Sequence, residues 1–289
     1  MSSQIFLDAI ELTTCEAEVF DQAYTAIPQY VPWPKAYGGD MVAQGASAMM
    51  RSVTDDRTLH SMHSYFLRPV DMYVPVRYEV ELLRDGRGYS TRQVRGFQNN
   101  KPVYTALGSF HVAEDGIEQA STAPSEYLDI DPESLASAAE VLTEAEGAAA
   151  DYWSTGRSFD MRHVPGALYL NVDGERTAHQ AVWVKAFTDL PDDQITQRAA
   201  LAYVCDYTIL EPILRTQDLS WGTEGLVTAS LDHAMWFHRE GRVDDWVLYV
   251  QEAVSTQNSR GLALGRFYTR DGQLLATVAQ EGMIRAPRG

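Results

Sequence analysis

Near the C-terminus the run "LLATVAQEGMIR" places an amide inside an apolar strand pattern. Counting alternate positions, Leu274, Ala276, Val278, Gln280, Gly282 and Ile284 share one face, while Glu281 and Arg285 share the other. Gln280 therefore turns inward with the apolar set. A buried amide costs roughly 1–3 kcal/mol unless its donors and acceptor find partners, so a group that needs hydrogen bonds must stand opposite it. Other reactive residue types narrow the chemistry. No G-x-S-x-G elbow presents a nucleophilic serine. The two cysteines, Cys15 and Cys205, offer neither a disulfide framework nor a metal set. His60 and His63, like His233 and His238, are an odd number of residues apart in strand-like runs, so each pair points to opposite faces and cannot chelate one metal. Neither a metal nor a cofactor is expected.

The elements that must position Gln280 occur in the same order twice. In the first half, Gly38 and Gly39 form a turn into "DMVAQGASAMMRS", which has helical spacing; the strand-like runs "LHSMHSYFLR", "VRYEVELLR", "YSTRQVRGFQ" and "PVYTALGSFHV" follow. In the second, "DDQITQRAALAYVCDYTILEPIL" is helical until Pro212, and "LVTASLDHAMWFHR", "DWVLYVQEAV", "RGLALGRFYTR" and "QLLATVAQEGMIR" follow. The copies align with His63 on His233 and Ser230 on His60 at one offset, and with Arg87-Gly88 on Arg260-Gly261 and Gln280 on Leu107 at another. One such helix-plus-sheet unit is too small to close its own sheet, so two units side by side would share one. The expected fold is α+β, a double hotdog in which two helix-plus-antiparallel-sheet repeats share one continuous curved sheet. Its parts are an N-terminal repeat over residues 1–115, a linker over 116–160 and a C-terminal repeat over 161–289.

Charge marks that linker. The chain has 289 residues and a formal net charge of −17, which excludes a nucleic-acid partner that needs a basic surface. No Lys or Arg occurs from Pro102 to Gly156, and eleven Asp and Glu fall between Glu114 and Asp151. The stretch is also rich in Ala and Ser and reads as a peripheral linker with some helix. No apolar run approaches the roughly 18 residues of a membrane span, and the first residues lack the pattern of a signal peptide, so a cytoplasmic protein that does not enter membranes is expected.

The segments "YGGDMVAQ", "HSMHSYFLRP", "LLRDGRGYSTRQV", "SLDHAMWFHR" and "SRGLALGRFYTRDGQLLATVAQEGMIR" together resemble the acyl-CoA thioesterase II (TesB-type) family. The resemblance covers most of the chain outside the linker and the first two dozen residues. It implies a hydrolase of fatty acid metabolism that splits acyl-CoA into a carboxylic acid and CoA, with Asp206, Ser230 and Gln280 around one water. Where the family leads one to expect Gln, this chain has Asp40, which bears on acyl preference or loop contacts.

Asp206 has Ala202, Tyr203, Ile209 and Leu210 as helical neighbours, an apolar setting that would raise its pKa and make it a better base. The same setting also suits a structural Asp held by backbone donors. Ser230, with no elbow around it, reads as a group that positions the water rather than attacks. Gly38 and Gly39 precede a helix whose free N–H groups suit an oxyanion; a tight turn explains them equally. Arg84, Arg87, Arg92, Arg260 and Arg266 are unranked candidates for the phosphates of CoA. The alternative is a non-catalytic acyl-CoA-binding hotdog protein, which would need no polar trio. An acyl-CoA hydratase would carry D-x-N-x-x-H, which is absent. Sheet edges of this fold are commonly buried against another copy, so a homo-oligomer, dimer or tetramer, is expected.

Overall fold

In the computed structural model, which describes residues 1–54 and 56–287, the strands of both halves join one 13-stranded sheet. The first half contributes helices α1 (Gln4–Ile10) and α2 (Gly38–Met50) and strands β1 (Thr13–Cys15), β2 (Gln22–Ala26), β3 (Arg57–Phe66), β4 (Val76–Asp85), β5 (Tyr89–Gln98) and β6 (Lys101–Val112). Short helices α3 (Ser125–Leu128), α4 (Ala138–Val141) and α5 (Ala148–Ser154) follow. The second half contributes β7 (Phe159–His163), β8 (His179–Ala186), α6 (Gln194–Thr208), α7 (Glu211–Thr216), β9 (Val227–Ser230), β10 (Asp232–Phe237), β11 (Val247–Gln257), β12 (Arg260–Thr269) and β13 (Leu274–Arg285). The strand order is β1-β2-β4-β5-β6-β3-β10-β13-β12-β11-β8-β7, with β9 paired to β13.

The halves meet where β3 runs antiparallel to β10, with Tyr65 opposite Asp232 and Ser61 opposite Trp236. Helices α2 and α6 pack against each other over one side of this joint sheet. Tyr37 ties them, its hydroxyl donating to the Tyr203 carbonyl at 2.6 Å. Each helix is buried almost all round, because neighbour, sheet and flanking segments cover it on every side. This is the α+β double hotdog expected from the repeated element order. No helix among the described residues is long and apolar enough to cross a membrane.

The expected alignment of the copies is one residue out of register. His63 is exposed, whereas His233 is buried. Leu107 is likewise exposed while Gln280 is fully buried. A slip of one residue exchanges the faces of a strand, so neither pair is structurally equivalent. The inward residues of β6 include Ala106 and Gly108, which carry no amide.

The acidic stretch is not a peripheral tether. Its first part is exposed, yet α5 sends Tyr152 and Trp153 into the main core, joined by Ala138 and Leu142. Aromatic burial of this size outweighs the cost of bringing nearby acids to the surface. The reading of a helix ending at Pro212 also changes. Helix α6 stops at Thr208, and Pro212 lies in the first turn of α7, where its missing N–H has no helical partner to lose.

Candidate active site

Helix α6 begins with Asp193, whose side chain accepts the Thr196 N–H at 2.8 Å, and it runs through the Ala-rich segment "RAALAYVC". The break after Thr208 leaves Asp206 in the last turn. Strand β13 brings Gln280 and the end of β9 brings Ser230, with Ser230 paired to Gly282 across the ladder. Residues far apart in sequence thus reach one point.

The contacts are direct. Asp206 Oδ1 accepts the Ser230 hydroxyl at 2.8 Å and the Gln280 amide N–H at 2.6 Å. The same amide nitrogen lies 3.1 Å from Ser230 Oγ, which accepts from it. Part of Asp206 and Ser230 is reachable by solvent, whereas Gln280 is sealed. Burial raises the pKa of Asp206; the bonds from Gln280 and Ser230, the positive charge of Lys35 and the Gly39 N–H act against that rise. The result is a carboxylate with more affinity for a proton than an exposed one, held in a fixed orientation.

Gly38 and Gly39 do not form a turn before the helix; they are its first two residues. No side chain caps this helix start, so its orphan donors are free to serve a neighbour. The Gly39 N–H is directed at the Asp206 carboxyl. Side chains are excluded at both positions: a Cβ on Gly38 would lie 2.6 Å from Asp206 Oδ2, and one on Gly39 would lie 2.3 Å from the Tyr203 carbonyl oxygen. The close approach of α2 to α6 and the reach of its N–H groups toward Asp206 share one cause.

Two residues outside the predicted set join the site. His233 Nδ1 lies 2.8 Å from Gln280 Oε1. Burial pushes the His233 pKa down to about 4, against the opposing effect of that bond, so the ring is neutral and the proton belongs on Nδ1, the nitrogen facing an oxygen that can only accept. This bond fixes the amide with its N–H groups toward Asp206. Lys35 is the second. Its ammonium donates to the Thr228 carbonyl at 2.6 Å, two residues before Ser230, and burial lowers its pKa while Asp206 raises it. The need of a buried amide for partners at both ends could have pointed to His233, but strand parity alone does not name it. Nothing local marks Lys35.

Of the arginines considered for phosphate binding, Arg92 is buried and committed to Ser52, Asp85 and backbone carbonyls, a structural role. Arg260 pairs with Glu281 at 3.0 Å. His60 bonds Ser109 at 2.8 Å, outside the Asp206 cluster.

The chain is similar to known proteins over nearly its whole length. Residues 155–283 match the family described as Acyl-CoA thioesterase, and residues 29–111 match the Acyl-CoA thioesterase N-terminal domain. Acyl-CoA thioesterase 2 of Haemophilus influenzae is 33% identical over 98% of this chain and 99% of its own length. Acyl-coenzyme A thioesterase 8 of Homo sapiens is 32% identical over 89% of this chain and 82% of its own. The crystal structure of an acyl-CoA thioesterase II from Mycobacterium marinum superposes with a TM-score of 0.78 at 31% identity, covering 98% of this chain and 99% of that one. With its double-hotdog sheet and near full-length similarity to these enzymes, the chain belongs to the acyl-CoA thioesterase II family.

Proposed function

We propose that this thioester hydrolase splits acyl-CoA by water attack, with Asp206 as general base and Ser230 and Gln280 holding the water. The observation that carries the reading is the sharing of Asp206 Oδ1 by the Ser230 hydroxyl and the Gln280 amide. A water entering this cluster meets a proton acceptor and two groups able to fix its direction. As its oxygen bonds to the thioester carbon, one proton passes to Asp206 and the carbonyl π electrons move onto oxygen. At the start of α2 the Gly39 N–H serves Asp206 and the Asp40 N–H donates to the Tyr37 carbonyl at 3.2 Å, which leaves the Gly38 N–H to suit that developing charge. When the tetrahedral intermediate collapses, the C–S bond breaks and the thiolate takes the proton from Asp206. The products are a carboxylic acid and CoA, and Asp206 returns to its starting state.

Ser230 is no nucleophile in this scheme. Its oxygen donates to a carboxylate and accepts from an amide, and the ring that usually activates a serine, here His233, is engaged with Gln280 instead. Thiol release from a chain-length series of acyl-CoAs tests the activity; binding without release would make the protein an acyl-CoA binder. For the mechanism, Asp206→Asn is expected to lose about 10²–10⁴ in kcat, the usual worth of a general base. Ser230→Ala should lose less. Near-normal turnover in Asp206→Asn together with a dead Ser230→Ala would replace water attack with an acyl-serine route.

A further inference from the structure

Cys205, the residue before Asp206 on α6, is fully buried and takes no part in the water attack. Its Sγ lies 3.6 Å from His233 Nε2 and 3.0 Å from the Ala202 carbonyl oxygen. His233 Nδ1 in turn faces Gln280 Oε1, and the Gln280 amide nitrogen faces Asp206. These contacts close a circuit that leaves α6 at Cys205, crosses β10 and β13, and returns to α6 one residue later.

An ionised Asp206 can only accept, so Gln280 must turn its N–H groups toward it and its oxygen toward His233. That oxygen accepts the proton on Nδ1, and the neutral ring is then bare at Nε2. Among the described residues, Cys205 alone stands within hydrogen-bond reach of that nitrogen. The thiol keeps its proton, because burial and the Asp206 charge hold its pKa well above the ordinary cysteine value. Its one S–H has two acceptors nearby. The Ala202 carbonyl accepts the helical N–H four residues on, whereas Nε2 has no other donor, and a buried acceptor left unpaired is costly.

We propose that Cys205 is a positioning residue: its S–H fixes the His233 tautomer, which fixes the face of the Gln280 amide and keeps a donor on Asp206. The opposite tautomer shows what depends on it. With the proton on Nε2, the lone pairs of Nδ1 and Gln280 Oε1 would meet. Turning the amide over relieves that repulsion but sets its oxygen against the Asp206 carboxylate and withdraws the N–H from Ser230 Oγ. Both groups that hold the water are then disturbed. Cys205 touches neither water nor thioester, so its removal should lower kcat and leave KM nearly unchanged.

This role rests on the hydrolase reading, and two readouts separate them. The full chain is labelled isotopically at histidine, and the ring nitrogens are observed by NMR near neutral pH. His233, identified by the signals lost in His233→Asn, should show a protonated Nδ1 and a bare Nε2. Cys205→Ala should give a mixture of tautomers and lower kcat about 3–10-fold, while Cys205→Ser, which keeps a donor, should retain most of the turnover. His233→Asn places an amide nitrogen where Nδ1 stood and has no tautomer to fix, so adding Cys205→Ala to it should cost nothing further. A wild-type His233 protonated on Nε2, or a Cys205→Ala loss as large in the His233→Asn background as without it, overturns the positioning role alone. Absence of thiol release by the folded wild-type chain overturns the hydrolase reading and this role with it.

Discussion

Gln280 illustrates how far a single residue can be read. Alternation along its strand places it inward without any coordinates, and the energetics of a buried amide demand a polar counterpart. What alternation cannot supply is the identity of that counterpart, because Asp206, Ser230 and His233 arrive from other elements. Lys35 is less legible still, since its relation to Asp206 depends on how the segment before α2 crosses β9. Its charge favours the ionised form of Asp206 and so works against the rise caused by burial. In the proposed water attack Asp206 must be deprotonated to take a proton, so kcat/KM should fall as pH drops through its pKa. Lys35→Met removes the opposing charge, raises that pKa further and should move the acidic limb of the pH profile to higher pH. An unmoved limb would mean that solvent already screens the pair. At the same scale, Ser230 and Gln280 are proposed to hold one water, so the combined loss of Ser230→Ala and Gln280→Ala should fall short of the product of the single losses in a double-mutant cycle. Fully multiplicative losses would show two independent roles.

At the scale of elements, the position of Asp206, the proposed general base, depends on how closely α2 approaches α6. Gly39 permits that approach, and the Tyr203 carbonyl occupies the place a side chain would need. Gly39→Ala must push the helices apart, at a cost of about 1–3 kcal/mol in the manner of an overpacked core. It also withdraws the N–H aimed at Asp206. Urea denaturation should show the loss of stability, and turnover should drop with it; wild-type values for both would mean that the helix start relaxes without consequence. The two glycines stand out in the sequence, yet their reason lies in a partner helix, and for that they read equally well as a turn. The acidic segment misleads in a similar way. Counting its charges describes its surface, whereas the location of α5 is decided by Tyr152 and Trp153, two aromatics whose burial no charge count registers. Copy alignment suffers from parity: short matching marks tolerate a slip of one residue, and a strand face does not.

At the scale of the whole molecule, the central question is what holds the two halves together once the chain between them is cut. Residues 113–122 are exposed throughout and include Glu114 and Glu118, so a glutamate-specific protease has access before the core is reached. Trypsin would not serve, since no Lys or Arg occurs there. Beyond the cut, β3 stays hydrogen-bonded to β10 and Tyr37 of the first half stays bonded to Tyr203 of the second. Separation would expose the inner surfaces of α2 and α6 and leave two unpaired strand edges at the join. The intact connection through residues 113–122 contributes only a slowly varying chain-entropy term. Brief digestion should therefore give two bands on a denaturing gel and a single peak at the uncut elution volume under native conditions, with thiol release retained. If the fragments part on the native column, the linker rather than the shared sheet is what unites the molecule.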